Sequence, residues 1–324
     1  MIPLRQTLPL LFAALPATAQ ELTVYTYDSF VTEWGPGPVV EAGFEAACGC
    51  DLTFVAVGDG AALLARLQLE GPSSEADVVL GLDTSLIAAA RGTGLFAAHE
   101  LAPELDLPIA WDDAEFLPYD WGYFAFVADA ALPAPSSLRQ LAESDLSIVI
   151  QDPRSSTPGL GLLLWVEAAY GDEAGAIWEA LADNIVTVTP GWSEAYGLFL
   201  EGEADAVLSY TTSPSYHLLA EGDAGKVAWV FDEGHYMQVE VAGIVAGTDA
   251  PELAREFLAF LLSDSVQAAI PETNWMFPAV TPEAGLPEGY AAPLPEAASL
   301  LMRPEEAQAA RGPALEAWRQ ALSR

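Results

Sequence analysis

Apolar and polar residues alternate along Leu22–Tyr27 (LTVYTY), a run rich in β formers, which predicts a strand. Two more strands are predicted at Leu52–Val57 and at the short apolar run Ala76–Gly81. Helical spacing fills the gaps. One helix covers Val39–Ala47 after the Trp34-Gly35-Pro36-Gly37-Pro38 turn. Another covers Ala61–Glu70, with Leu63, Leu64 and Leu67 on one face and a stop at Gly71-Pro72, and a third follows Asp83 through Ala90. Strand and helix in strict alternation argue for a parallel sheet covered on both faces, with right-handed crossovers.

The pattern changes at Tyr119–Val127, a long aromatic strand with a proline-rich exit at Pro133 and Pro135. A second alternation follows: strand Ser147–Gln151, helices Gly159–Tyr170 and Glu173–Asp183, strand Ile185–Val188, a helix at Trp192, and strand Ala206–Tyr210. Another long apolar strand spans Tyr236–Ala246, and amphipathic helices are predicted over 252–270 and Pro304–Arg324. Two long strands bracketing a complete second alternation indicate a chain that leaves one lobe and later returns. The expected division is lobe 1 over 20–122, lobe 2 over 123–235, a return to lobe 1 over 236–275, and a C-terminal segment over 276–324 that the pattern assigns to neither lobe.

In open parallel sheets a ligand sits beyond the carboxyl ends of the strands. Those ends bring Tyr27-Asp28-Ser29, Gly58-Asp59-Gly60, Gly81-Leu82-Asp83, Gln151–Thr157, the loop before Trp192 and Tyr210–Pro214 to one side of the fold. The stretch from Gly191 to His217 is dense in aromatic rings (Trp192, Tyr196, Tyr210, Tyr216) and small hydroxyls (Ser209, Thr211, Thr212, Ser213, Ser215). Ring faces attract cations, so this combination suits a small, flat, polar and positively charged ligand. Ser155-Ser156-Thr157-Pro158-Gly159 opens a helix with a hydroxyl cap and exposed amides, a geometry suited to an oxyanion. Asp59 either caps the helix at Ala61 or receives a ligand donor. Phe124, Phe126, Phe199 and Tyr196 are assigned to packing.

Catalytic motifs are missing. Gly191-Trp192-Ser193-Glu194-Ala195 lacks the second glycine of a nucleophile elbow. Gly159-Leu160-Gly161 lacks the third glycine of a dinucleotide fingerprint. His99, His217 and His235 have no partner spacing, so no catalytic residue and no metal site is expected.

Composition narrows the partners. Asp and Glu total 47 against 11 Lys and Arg, a formal net charge of −36, and Lys226 is the only lysine. Nucleic acid needs basic residues to displace counterions, so it is excluded as a partner. At the N-terminus one arginine precedes the apolar run Thr7–Leu15 and the Ala17-Thr18-Ala19 cleavage pattern, which reads as a signal peptide over residues 1–19 and an exported protein. The two cysteines, Cys48 and Cys50, can pair in an oxidising compartment, but the ring would be very small, and free thiols are the alternative.

Taken together, LTVYTYDSF (22–30), WGPGPVV (34–40), ADVVLGLD (76–83), GYFAFV (122–127), QDPRSSTPGLGLLLW (151–165), VTVTPGWSEAYGLFL (186–200), VLSYTTSPSYH (207–217), EGHYMQVEVA (233–242) and IPETNWMFP (270–278) resemble the thiamine-binding periplasmic proteins, substrate-binding subunits of ABC importers. The resemblance implies an α/β type II periplasmic binding protein fold, two α/β lobes joined by crossing strands with the ligand cleft between them. It implies thiamine, thiamine phosphate or thiamine diphosphate as ligand, no separate cofactor, a membrane permease as partner, a monomer and a periplasmic location. By motif, Asp59, Gly60, Ser156, Thr157, Trp192, Tyr210, Thr211, Thr212, Ser213 and Pro214 would touch the ligand, and Tyr27, Trp34, Tyr216 and Trp275 would line the wall. In that setting the rings would stack on the ligand, Asp59 would meet its amine or its cation, and Ser156 and Thr157 would hold its hydroxyl or phosphate end.

Three rivals share the fold. A polyamine carrier needs several acids spaced along an aromatic box. A ferric-iron carrier places two adjacent tyrosines around the metal, whereas Tyr210 has Ser209 and Thr211 as neighbours. A thiaminase-like enzyme needs a nucleophilic cysteine, and Cys48 and Cys50 precede the strand at 52–57, at its end away from the cleft.

Overall fold

The computed structural model describes residues 19–323, so the leader expected over 1–19 lies, apart from Ala19, outside the described residues. The first lobe opens with strand β1 (Glu21–Thr26), helix α1 (Gly37–Cys48), β2 (Asp51–Ala56), α2 (Gly60–Glu70), β3 (Val78–Asp83) and the short α3 (Ile87–Arg91) and β4 (Phe96–Ala97). Next come β5 (Phe116–Asp129), α4 (Leu138–Ala142), β6 (Ile148–Gln151), α5 (Thr157–Tyr170), α6 (Ala174–Leu181), β7 (Ile185–Thr189), α7 (Trp192–Leu200), β8 (Ala206–Tyr210), α8 (Ser213–Ala220) and β9 (Lys226–Ala228). The chain closes with β10 (His235–Val245), α9 (Pro251–Leu261), α10 (Asp264–Thr273), β11 (Phe277–Pro278), β12 (Ser299–Leu300) and α11 (Pro304–Leu322).

The strand order β2-β1-β3-β10-β5-β8-β6-β7 holds two parallel groups joined by two long antiparallel strands. β1 pairs in parallel with β2 and β3 in the first lobe, and β6 with β7 and β8 in the second. β5 belongs to both. Its residues Phe116–Tyr123 pair with β10, and from Phe124 onward its partner is β8. Such a strand has no solvent-facing side, and its first thirteen residues are all buried. That burial explains why it reads as an unbroken aromatic run rather than an alternation.

The amphipathic segment predicted over 252–270 is two helices, not one. Leu262 and Ser263 interrupt it, the Ser263 amide donates to the Phe260 carbonyl, and α10 restarts at Asp264. The Tyr210–Pro214 turn likewise runs directly into a helix, α8, with Pro214 in its first turn, where its missing N–H costs no hydrogen bond. Short strands β4, β9, β11 and β12 were not apparent from pattern, because two or three residues carry no period. β11 returns the chain to Trp121 and Asp120 of β5, after which a proline-rich arm leads to α11, which packs on α5 and α6 of the second lobe. Cys48 and Cys50 are joined as a disulfide at the end of α1.

One glycine ties this core to the cleft. A Cβ on Gly161 would lie 2.0 Å from the ring of Phe124, which is itself fully buried and sits 5.2 Å from the ring of Tyr210. The Gly161→Ala variant is therefore expected to lose about 1–3 kcal/mol of stability through overpacking. A urea midpoint equal to that of the unmodified protein would show that Phe124 has room to move.

Candidate functional site

A cavity of about 460 Å³ opens between the lobes at the carboxyl ends of the strands. That size suits a drug-sized organic ligand. Its walls are aromatic. Trp192 lies 4.9 Å from Tyr196 at 30° and 6.3 Å from Trp34, and Tyr216 meets Trp275 edge-on at 5.4 Å. Tyr27 and Tyr210 complete the ring surface. All four expected wall residues, Tyr27, Trp34, Tyr216 and Trp275, line the space. Tyr196 lines it too, although it was assigned to packing: one ring does both jobs, touching Phe199 edge-on behind and the cavity in front.

Each ring is held by a different device. Trp192 begins α7, and its indole N–H donates to Ser209 Oγ at 2.8 Å, which in turn is 2.8 Å from Ser213 Oγ. Tyr196 shares a 2.9 Å hydrogen bond with Nε2 of the buried His217, whose Nδ1 is 2.8 Å from Glu221. Glu221 also accepts from the Tyr216 hydroxyl. Trp275 has φ of +56°, the left-handed region that a bulky residue rarely enters, directly after the end of α10. Gly81 serves Tyr27 by absence, since a Cβ there would come within 2.3 Å of the Tyr27 ring.

Among the ten expected ligand contacts, Asp59, Thr157, Trp192, Tyr210 and Ser213 line the cavity. Gly60, Ser156, Thr211, Thr212 and Pro214 sit behind it. The Gly60 amide donates to Thr157 Oγ1 across the lobes at 3.1 Å, and the Thr211 amide donates to the Tyr123 carbonyl. Ser156 stands at the cap position of α5 but does not cap it; its hydroxyl donates to Asp59 Oδ2 at 2.7 Å. The Trp192 amide donates to the same oxygen at 3.2 Å. The oxyanion seat expected at Ser156 is thus filled in this structure by a carboxylate of the opposite lobe. Burial pushes the Asp59 carboxyl up to about 6, with Asp28 and Glu194 adding to the rise and the hydrogen bonds from Ser156 and Trp192 opposing it.

The sequence reading missed the acids beneath the rings. Glu240, on β10, lines the cavity and is 6% exposed. The Tyr119 hydroxyl donates to its Oε2 at 2.5 Å and the Gln238 amide to its Oε1 at 3.1 Å. Asp120, wholly buried, accepts from the Asn274 amide at 2.6 Å, and the same amide donates to the Tyr27 hydroxyl at 2.9 Å. A signal existed in the sequence: Glu240 and Asp120 are lone carboxylates inside long apolar strands, where an unpaired charge is costly. Among the described residues no group of three or more His, Cys, Asp or Glu is arranged to hold a metal ion.

Comparison with known proteins now bears on this geometry. Residues 40–273 match the model of the bacterial extracellular solute-binding proteins. The chain belongs to that family. It is 51% identical to the thiamine-binding periplasmic protein of Escherichia coli K12, over 99% of this chain and all of that one. The thiamine-binding periplasmic protein of Brucella melitensis is 50% identical over 94% of this chain and 92% of its own length. A solved periplasmic thiamin binding protein superposes with a TM-score of 0.91 at 51% identity, covering 94% of this chain and 97% of that one. The fold is accordingly that of the type II periplasmic binding proteins.

The wall offers a direct test of how it is held. Replacing Tyr196 by Phe leaves buried His217 Nε2 without its partner, so Tyr196→Phe is expected to cost about 1–3 kcal/mol in urea denaturation. A loss below a few tenths would mean that water takes over the bond.

Proposed function

We propose that this protein captures thiamine, together with its mono- and diphosphate, in the periplasm and hands it to the permease of an ABC importer. The observation that carries the reading is the coincidence, in one inter-lobe cavity, of five or more aromatic faces with the carboxylates of Asp59 and Glu240. Thiamine is a flat aminopyrimidine joined to a permanently cationic thiazolium. Ring faces and carboxylates together favour such a charge over a neutral ring of equal size. The relatives named above carry the same ligand in their names, and the leader expected over residues 1–19 and the periplasmic location fit that setting.

The protein acts by binding, without a cofactor and as a monomer. A thiaminase-like reaction would need a free thiolate, and the only two cysteines are joined to each other. In the ferric reading two adjacent tyrosines would face the metal, and none of the cavity's tyrosines is adjacent to another in the chain. Acids beside aromatic rings are also what a polyamine needs. Against that reading stands the kinship with thiamine-binding proteins along the whole chain.

Titration of tryptophan fluorescence or calorimetry with thiamine, its two phosphates and spermidine tests the proposal. Saturable thiamine binding with no response to spermidine is expected, and the reverse order would overturn it. Trp192→Ala should weaken thiamine binding by one decade or more, each decade being about 1.4 kcal/mol. Affinity unchanged in that variant would return Trp192 to a packing role.

A further inference from the structure

Among the described residues, two of the acids under the cavity, Glu240 and Asp120, form no ion pair. Glu240 faces Tyr119 and Asp120 of β5, Asp83 of β3, the Tyr27 hydroxyl beyond β1, Gln238 of its own strand, and Asp59 across the cavity. The Tyr210 hydroxyl of β8 and Asn274 after α10 close the set, through Gln238 and through Asp120 respectively. Every one of these groups is neutral or acidic. Among the described residues, no lysine, arginine or histidine forms an ion pair with Glu240 or Asp120. Arg311 acts on Asp83, which lowers that carboxyl, but forms no ion pair with Glu240 or Asp120. Oδ1 of Asp120 and Oε1 of Gln238 are buried with no hydrogen-bond partner at all.

Glu240 differs from its neighbours in one respect. It is the member of the buried Glu240–Asp120–Asp83 group that reaches the cavity wall, so a ligand in the cavity can touch it without any movement of the sheet. An ionised carboxylate buried among neutral donors and other acids is costly, and the cost disappears if the group holds a proton or meets a cation.

From this arrangement we infer that Glu240 is the specificity-determining counter-ion of the cationic ligand, holding a proton when the cavity is empty and giving it up to solvent when the cation enters. The inference rests on the thiamine reading above. Its balance is simple. A Glu240 carboxylic acid becomes a carboxylate, one proton passes to the buffer, and the ligand's positive charge replaces it. In the neutral state the Glu240 hydroxyl can donate to Tyr119, and in the ionised state Tyr119 donates to Glu240, so the short contact between them serves both. Burial, with the field of Asp59 added, holds the Glu240 carboxyl above the ordinary range, while the hydrogen bonds from Tyr119, Tyr27 and Gln238 only partly offset it. Burial, and then the field of Glu240, pushes the Asp120 carboxyl upward in the same way. Below the pH at which empty Glu240 ionises, the cation must displace a proton, so affinity rises with pH, by up to about tenfold per pH unit, and then levels off. A neutral molecule of the same shape gains nothing from the exchange, which makes Glu240 a filter for charge.

Calorimetric titration with thiamine in buffers of different ionisation enthalpy, at about pH 6 to 8, reads the proton directly. The unmodified full-length mature protein should release close to one proton per thiamine at the acid end of that range, falling toward none at the basic end. In Glu240→Gln the release near neutral pH should be lost, only a fraction attributable to Asp59 should remain at the acid end, and binding at the basic end should be at least about tenfold weaker. Asp59→Asn, which removes a second carboxylate at the cavity wall, should still release the proton at saturation. Thiamine binding by the unmodified protein with no proton release, or with proton uptake by the aminopyrimidine, overturns the inference and leaves the function standing. Release undiminished in Glu240→Gln near neutral pH assigns the proton to another acid and also overturns it. Absence of saturable thiamine binding in the unmodified protein overturns both. Glu240→Gln keeps the side-chain shape and removes a buried acid, so its melting temperature at the basic end should equal or exceed that of the unmodified protein, which separates lost recognition from lost folding.

Discussion

Everything in this molecule hangs on one strand having to serve two sheets. Residues Phe116–Tyr123 of β5 complete the first lobe against β10, and Phe124–Ala128 complete the second against β8. A strand in that position is covered on both faces and both edges, which demands an apolar sequence. It also places the two sets of strand ends face to face. The cleft is the space left between them, and the residues at those ends have no choice but to face it.

The same constraint creates the chemistry. Because β5 and β10 run through the middle of the fold, any polar group on them is cut off from water. Asp120 and Glu240 are such groups, lying opposite each other in the ladder. Buried acids without a base are expensive, and stable proteins rarely keep them for packing. Here they lie beside Tyr119 in the core and beside Tyr27 and Tyr210, whose rings line the cavity, so on the reading proposed above the surface that raises their cost would also seat a flat cation. On that reading the rings would supply shape and dispersion, and the carboxylates the preference for charge.

Closure of the cleft rests on a smaller set of contacts. Asp59 and Gly60 of the first lobe meet Ser156, Thr157 and Trp192 of the second through three hydrogen bonds. Those residues belong to three separate loops, each directly after a strand, and each begins a helix. Backbone amides at helix starts donate readily to anions, and in this structure the Trp192 amide, with the Ser156 hydroxyl, donates to the Asp59 carboxylate.

The alternation of strands and helices, the existence of two lobes and the aromatic cleft wall were all legible in the chain, because each depends on local period or on the side of the sheet to which strand ends point. Trp192 and Tyr210 could be placed together on that ground alone, whereas Tyr216 and Trp275 were expected at the wall only through the family resemblance. Several features were decided by tertiary contact. Ser156 turned from a helix cap into a partner of Asp59, since only folding brings residues 97 positions apart within 2.7 Å. Tyr196 gained a cavity face because His217 holds it from behind. The break at Leu262–Ser263 and the strands of two or three residues carry no period to read. Most of all, the chain shows two isolated acids in two apolar strands but not that they are neighbours. Pairing register brought Asp120 opposite Glu240, and burial without a counter-ion gave the pair its meaning.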